Sequence, residues 1–521
     1  MTDAVRAQLA LLPAYLTAHL QLTLTALLVG TAISVPAGLW VSRRPFAERV
    51  VLGIASLLQT IPSLALLAIM VPMLAALGRA TKAGLGFTVP SIGFLPALIG
   101  LTLYSILPIL RNTVAGIAGV DPAVVEAARA VGMTDRQRLR LVELPLALPV
   151  IVAGIRTSTV WVVGLATLST PVGAPSLGNY IFSGLQTRNL AAVLVGCAAA
   201  AALALILDGL VHALELGVRT RRRALVVAAS AVLAALALYA TATLAIGAIS
   251  ERQRPIAIGS KTFTEQYIVS AILAGRIAAE TGVATRIVPS LGSTVAFDAL
   301  RDGTIDCYVD YSGTIWATVM HRGIIPSDRG AVLGEVTRYL HEHDAITVAG
   351  TLGFENAYAL VMRDDRARAA GVRRISDLTP QASALTIAGD YEFFSRPEWT
   401  ALTRAYDLRF NAQRSMDPSL MYQAVAAGDV DVASAFSTDG RIAAFDLRVL
   451  DDDRGAIPPY DAIILVSARL ARDEPRVLRA LATLNGTIDA ATMRAMNAAV
   501  DQEGRSPDDV ARAFLAAAAS R

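Results

Sequence analysis

Six apolar runs crowd the first half of this chain, at roughly 15 to 41, 50 to 77, 93 to 112, 145 to 167, 190 to 217 and 224 to 249. About 20 apolar residues suffice for a helix to cross a bilayer, so these runs force a membrane domain on whatever the chain folds into. Pro36, Pro62, Pro72 and Pro108 lie in or near them, which membrane helices tolerate when neighbouring helices satisfy the freed carbonyls. The charges divide at the same place. Up to residue 250 there are 17 Lys and Arg against 8 Asp and Glu, and after it 29 against 35. A basic, greasy half is joined to an acidic, ordinarily polar one, so the overall net charge of +3 says little about partners.

Orientation follows from where the arginines collect. Arg43, Arg44 and Arg49 follow the first run, Arg111 to Arg140 span the loop after the third, and Arg219 to Arg223 follow the fifth. Placing all three clusters in the cytoplasm puts the N-terminus and residues 251–521 outside after six crossings; Arg79 and Lys82 between runs two and three oppose this weakly. The first run is too long, and its flank too apolar, for a cleavable signal peptide. The Ala/Leu/Val-rich sixth run reads as a tether for the outer half.

The loop between the third and fourth runs carries Glu126-Ala127-Ala128, then Gly132, then Leu144-Pro145. Asp121-Pro122 predicts an N-cap with proline at the first helical position, Gly132 a turn, Asp135 to Arg140 a polar second helix, and Pro145 the start of a buried one. A surface hairpin of a soluble protein is the bland alternative, and it lacks a reason to sit between two membrane-length runs. The pattern resembles the coupling loop of ABC-importer permeases, which docks on a separate ATPase subunit. That resemblance implies ATPase coupling through Glu126, Ala127, Ala128, Gly132 and Pro145, and a bacterial plasma-membrane permease. It also implies a homodimer, since five body spans make half a pathway. Further on, Thr170 to Gly178 is dense in turn formers, and Asn179 to Leu185 reads either as a re-entrant gate helix or as an interfacial helix in an ordinary loop.

Beyond Glu251-Arg252-Gln253-Arg254-Pro255 short strands alternate with amphipathic helices: strand Ile256 to Gly259, helix Glu265 to Thr281, strand Thr285 to Pro289, helix Ser293 to Asp302, strand Ile305 to Val309. Such alternation predicts an α/β sheet with ligands at the carboxyl ends of its strands. The loops there read Gly259-Ser260-Lys261-Thr262-Phe263-Thr264-Glu265-Gln266, Leu291-Gly292-Ser293-Thr294 and Gly303 to Thr314. With Gly353 to Leu360, Phe436 to Ile442, Leu450 to Asp453 and Pro458 to Asp461, they resemble the substrate-binding domain of osmoprotectant importers for glycine betaine, carnitine and choline. The two resemblances imply a fold of two parts: an α-helical membrane domain of six spans with the binding-protein-dependent permease fold, and an α/β two-lobed periplasmic-binding-protein-type domain. The expected divisions are 1–218 for the permease with its coupling loop at 121–145, 219–250 for the basic loop and sixth span, and 251–521 for the binding domain. Lobe one would hold 255–356 plus 460–521 and lobe two 360–455, with crossings near Tyr358 and Tyr460.

A quaternary ammonium has no N–H to donate and is recognised by ring faces, each contributing roughly 0.5 to 2 kcal/mol. Candidate walls are Tyr308, Tyr311, Tyr358, Phe436, and Phe393 and Phe394 in Asp390-Tyr391-Glu392-Phe393-Phe394, although strand-end rings commonly pack inward. A ligand carboxylate wants a guanidinium or several N–H donors, for which Arg396 and the helix start at Ser293-Thr294 are candidates. Ser260, Thr262, Asn356, Thr438 and Asp439 are further polar groups at loop ends, Asp439 reading equally as a helix cap before Arg441. Asp306 and Asp310 flank the two tyrosines and would favour a net cation or an N–H-bearing betaine, so choline and the histidine betaine ergothioneine both stay open.

Cys197 and Cys307 fall in different halves and are not expected to pair, and no thiol cluster or His pair supports a metal. No Gly-x4-Gly-Lys-[Ser/Thr] segment occurs, so the chain is expected to bind no cofactor of its own and to rely on a partner that hydrolyses ATP. No basic tract interleaved with aromatics suggests nucleic acid. The expected partners are a betaine or choline-like ligand, the ATPase, a second permease copy and membrane lipid. A ligand-sensing receptor or channel would need an output domain or pore filter, and an enzyme a catalytic constellation; His321, His341 and His343 sit in a polar helical region and read as solvated.

Overall fold

In the computed structural model the chain forms two compact units, Met1–Phe182 with Ala191–Arg254 and Ser183–Leu190 with Pro255–Arg521. The structure describes residues 3–85, 89–187, 189–250, 255–322, 328–390 and 392–519. Glu251 to Arg254, Tyr391 and the side chains of Arg79 and Lys82 lie outside the described residues.

The first unit is helical. Helices α1 (Asp3–Val41), α4 (Phe94–Ala118), α7 (Leu144–Ala166), α9 (Leu190–Arg219) and α10 (Arg223–Ser250) are apolar and long enough to cross a membrane. The run read from the sequence as one span at 50 to 77 is instead two helices, α2 (Pro45–Thr60) and α3 (Ser63–Leu85), bent by 98°. Pro62 is the cause: it offers no N–H and pushes Ile61 into an extended conformation (ψ 127°). Tyr104 of α4 holds the break by donating its hydroxyl to the Ile61 carbonyl.

Close approach at a small residue fixes the α4/α7 contact. A Cβ on Gly154 would stand 2.6 Å from Cβ of Asn112 and 2.9 Å from the Pro108 carbonyl, so only glycine fits. Helix α10 does more than tether. It lies along α1, where Thr17 bonds Tyr239 (2.9 Å) and Gln21 donates to Thr243 (2.9 Å). Between membrane helices such bonds average about 0.6 kcal/mol each, enough to set the rotation of one helix on another.

The coupling segment forms α5 (Pro122–Ala130), a turn at Gly132 (φ +81°), and α6 (Asp135–Arg138). Asp121 accepts the Ala123 N–H at 2.9 Å, and Thr134 with Gln137 makes a reciprocal cap on α6. The polar second helix is shorter than the sequence suggested: after one turn it widens into a π-turn, Leu139–Glu143, and runs straight into α7. Pro145 therefore sits in the first turn of α7 and is exposed. Past α7 a tight helix, Thr167–Val172, reverses at Gly173 and leads into α8 (Gly178–Gln186). His19 of α1 clamps this segment, its Nδ1 accepting the Leu177 N–H (3.3 Å) while Nε2 donates to the Val163 carbonyl (3.1 Å).

In the second unit β1 (Ile256–Lys261), β2 (Thr285–Leu291), β3 (Cys307–Tyr311), β4 (Thr347–Glu355) and β10 (Asp461–Val466) form a sheet in the order β2-β1-β3-β10-β4. A second sheet, ordered β7-β6-β8-β5-β9, holds β5 (Tyr358–Arg363), β6 (Thr386–Gly389), β7 (Ala412–Ser415), β8 (Val432–Phe436) and β9 (Leu447–Leu450). In each, four strands point the same way and one, β10 or β5, runs antiparallel to both of its neighbours. Covered on both faces, β1 and β10 are buried at every position, which is why β1 opens Ile-Ala-Ile and β10 continues Ala-Ile-Ile-Leu-Val without polar alternation. The chain passes between sheets at Asn356-Ala357 and again between Leu450 and Asp461, and the two passages meet where the Asn356 N–H donates to the Tyr460 carbonyl (3.0 Å). Each sheet with its helices is a lobe, and the loops after β1, β3 and β8 lie where the lobes face one another.

Candidate ligand-binding cleft

Helix α11 (Thr264–Thr281) follows β1 after a two-residue loop, and its second residue, Glu265, is the centre of the cleft. Its carboxylate is 2 % exposed and accepts four donors: Tyr311 at the end of β3, Asn356 at the first crossing (3.0 Å), Thr438 after β8, and more distantly Asn497 of the helix Ala490–Asp501 (3.5 Å). Burial holds the Glu265 carboxyl above the usual carboxylate range, and these hydrogen bonds offset part of that. The same burial, with Glu265 beside it, pushes the Tyr311 hydroxyl well above its ordinary value.

A narrow pocket opens here, walled by Phe263, Glu265, Asn356, Phe436, Thr438 and Asp439 and closed by Thr264, Arg441, Asn497 and Asp501. Phe263 and Phe436, one from each lobe, lie nearly parallel (9°) with ring centres 5.9 Å apart; Tyr311 stacks on Phe263 at 6.3 Å, and Tyr358 lies tilted by 38° against Phe436 at 5.2 Å. The side-chain amide oxygens of Asn356 and Asn497 are buried with no hydrogen-bond partner among the described residues, while each amide's N–H₂ is engaged by Glu265 or by the Thr438 carbonyl. Asp439 is paired with Arg441 and Asp501 accepts from Thr264, so the cleft offers apolar ring faces, the Glu265 carboxylate and two unpartnered amide oxygens. It suits a ligand that is cationic and donates hydrogen bonds.

Of the residues singled out in the sequence, Asn356, Phe436, Thr438 and Asp439 line this pocket, and Tyr311 and Tyr358 stand directly behind it. The others are placed elsewhere. Tyr308 is wholly buried and donates to Asp310 Oδ2 (2.5 Å); along β3 the side-chain period of two puts it on the face opposite Tyr311, so the two cannot share a cage. Phe393 is core, packed on Tyr358, Phe394 and Trp399. Arg396 is not a free guanidinium: it pairs with buried Glu398 (3.2 Å) and with Glu392 (3.2 Å), and lies 5.4 Å over the Tyr358 ring. Asp439 is similarly taken up, capping the Arg441 N–H and gripping the Arg441 guanidinium. Ser260 is buried against its own backbone, Thr262 and Ser293 are half-buried, and Thr294 is exposed in the first turn of Ser293–Asp302.

The two acids flanking the tyrosines are also neutralised internally. Asp306 is paired with Arg469, and Asp310 with Lys261 (2.5 Å). Burial pushes the Cys307 thiol between them well above its ordinary value. The acid of the site is Glu265, which an acidic residue in a first helical turn disguises, because such residues ordinarily just complement the helix dipole. Phe263 and Asn497 were missed as well; Phe263 lies in the quoted loop, whereas nothing around Asn497 marks it apart from other polar positions of its helix. His321 is exposed outside any helix, and His343 stacks on Tyr339 at 4.1 Å. In the coupling hairpin Glu126, Ala127 and Gly132 are exposed and Ala128 is buried.

Known proteins place this architecture. Residues 254–517 match the family described as the substrate binding domain of ABC-type glycine betaine transport systems, and residues 30–220 match the binding-protein-dependent transport system inner membrane component. The chain belongs to both families, fused. The importer subunit is 28% identical over 480 residues to the ergothioneine transport permease/ergothioneine binding protein of Helicobacter pylori, covering 90% of this chain and 83% of the relative. It is 39% identical over 197 residues to the choline transport system permease protein of Bacillus subtilis (38% of this chain, 83% of that one). It is also 32% identical over 264 residues to the carnitine transport binding protein of Listeria monocytogenes (50% and 85%). The importer subunit is therefore a membrane transport component that carries its own binding domain.

Proposed function

We propose that this subunit captures a quaternary-ammonium ligand that also carries N–H or O–H donors, and passes it inward through its own membrane helices. The observation that carries the reading is the pair of unpartnered acceptors, Asn356 and Asn497, beside buried Glu265 and the Phe263 and Phe436 rings. Glycine betaine offers a cation and a carboxylate but no donor; choline has a hydroxyl, and ergothioneine has the N–H groups of its imidazole-thione ring. The helix count and the arginine clusters support six spans, the bent α2/α3 pair counting as one, with the N-terminus and the binding domain on the outer face of a bacterial plasma membrane. ATP is hydrolysed by a separate subunit docked on the α5/α6 hairpin, and two copies of the permease, embedded in lipid, form the pathway.

Calorimetric titration of the purified full chain against glycine betaine, proline betaine, carnitine, choline and ergothioneine tests this. Donor-bearing ligands are expected to bind at least ten times more tightly than glycine betaine, and Glu265→Gln to narrow that gap. Equal affinity for glycine betaine overturns the donor requirement. Binding of none of the five by a folded chain removes the quaternary-ammonium assignment altogether.

A further inference from the structure

Most of the coupling hairpin is solvent-facing, with Val131 73 % and Leu141 65 % exposed, yet two charged residues behind it are buried: Arg138 and Glu143. Oε1 of Glu143 accepts Arg138 Nε at 2.7 Å, and Oε2 accepts Arg43 Nη2 at 2.8 Å. Arg138 in turn holds Asp135 (3.0 Å). Arg43 lies two residues beyond α1, Arg138 ends α6, and Glu143 immediately precedes α7, so one carboxylate with two guanidinium partners ties three segments of the inner surface together. The tie sits on the π-turn Leu139–Glu143, a locally widened turn of a kind that recurs at functional sites in helices. Without the tie, the hairpin could swing at that turn while α7 stays still.

We infer that Glu143 is the positioning residue through which movement of the docked hairpin is delivered to α1 and α7. This rests on the importer reading, and it assigns a part to a residue outside the surface that meets the ATPase. Glu126 and its neighbours supply the exposed docking face; Glu143 makes that face and the helix bases move as one body. Loss of its charge leaves the docking face intact and lets the hairpin move without the helices.

The test uses the assembled transporter, recovered with its ATPase through a tag on this chain and placed in proteoliposomes, with ATP hydrolysis and uptake of the bound ligand measured together. Glu143→Gln is expected to keep assembly and hydrolysis within about twofold of the parent while uptake per ATP falls at least tenfold. Arg43→Gln, on a more exposed side chain, is expected to lower the same ratio, and the double variant to be no worse than Glu143→Gln, because both act on one interaction. An unchanged ratio in both single variants overturns the inference, as does a fall in uptake and hydrolysis together in step with lost assembly. If the parent itself shows no ligand-dependent uptake or hydrolysis, the importer reading fails, and this inference with it.

Discussion

Glu265 accepts the hydroxyl of Thr438, and in doing so the leading helix of the first lobe grips the loop that follows β8 in the second. The contact is made by a carboxyl that burial holds above its usual range. The native state therefore binds this proton more tightly than the unfolded chain. Its contribution to stability is complete below the unfolded carboxylate value of about 4.3 and is lost as pH rises through the raised native value. Thermal unfolding of the full chain between pH 4 and 8 is expected to show the binding unit losing stability across that interval. Glu265→Gln should flatten the dependence; a variant that follows the parent's profile would show that another group titrates.

A cation in the cleft favours ionised Glu265. Binding of choline is accordingly expected to release a proton and to strengthen as pH rises through the raised Glu265 value, approaching tenfold per pH unit at most. Titrations in buffers of different ionisation enthalpy would detect the proton. Glu265→Gln should abolish both the release and the slope.

Arg396 was read from the sequence as a hand for a ligand carboxylate, and the structure gives it to Glu398, which is 1 % exposed. Tyr460 adds its hydroxyl to the same carboxylate. Removing one member of a buried pair strands the other, at a cost of about 3 to 5 kcal/mol. Arg396→Ala is expected to lower the unfolding free energy of the binding unit by that amount, read from denaturant unfolding. Arg396→Ala/Glu398→Leu should recover much of it, with ligand affinity near the parent's, whereas a double variant that is stable but binds no ligand would return Arg396 to the site.

How far the sequence disclosed this molecule follows from the range of each interaction. The coupling hairpin was legible because Asp121, Pro122 and Gly132 act within a few residues of themselves; the Thr134 cap on its second helix was not read. The first three strands and two helices of the outer half were legible because they carry their own periods, whereas the second sheet entered only through the resemblance. Glu265 was not, since two of its partners lie 173 and 232 residues away and nothing local announces a carboxylate that four donors will surround. The break in α2/α3 was written at Pro62, but apolar length alone outweighed it. The strand period of two already separated Tyr308 from Tyr311, and the resemblance to an aromatic cage hid it.

That separation gives a paired test. Tyr311 donates to Glu265 and accepts from Gln266 Nε2 (3.0 Å), so Tyr311→Phe leaves a buried carboxylate short of a donor beside the cavity. The cost is about 1 to 3 kcal/mol, shared between stability and ligand binding. Tyr308→Phe removes a donor from Asp310, which keeps Lys261, and should cost about 1 kcal/mol of stability with ligand affinity unchanged. Calorimetry and thermal unfolding of both variants separate the two faces of β3, and equal losses of affinity would contradict the placement.

The rings that remain in the site are Phe263 and Phe436, stacked across the lobes. If their faces hold the ammonium, each contributes roughly 0.5 to 2 kcal/mol, or about 2- to 30-fold in affinity. Phe436→Leu keeps the apolar bulk and removes the ring face, so it isolates this contribution from simple burial. It should weaken binding of choline within that range while leaving the unfolding midpoint nearly unchanged, and Phe263→Leu should do the same. Phe393→Leu, in the core behind Tyr358, reverses the pattern: stability falls and affinity is kept. Loss of affinity in Phe393→Leu with none in Phe436→Leu would move the ammonium out of this cavity and toward the Tyr358 face that Arg396 now covers.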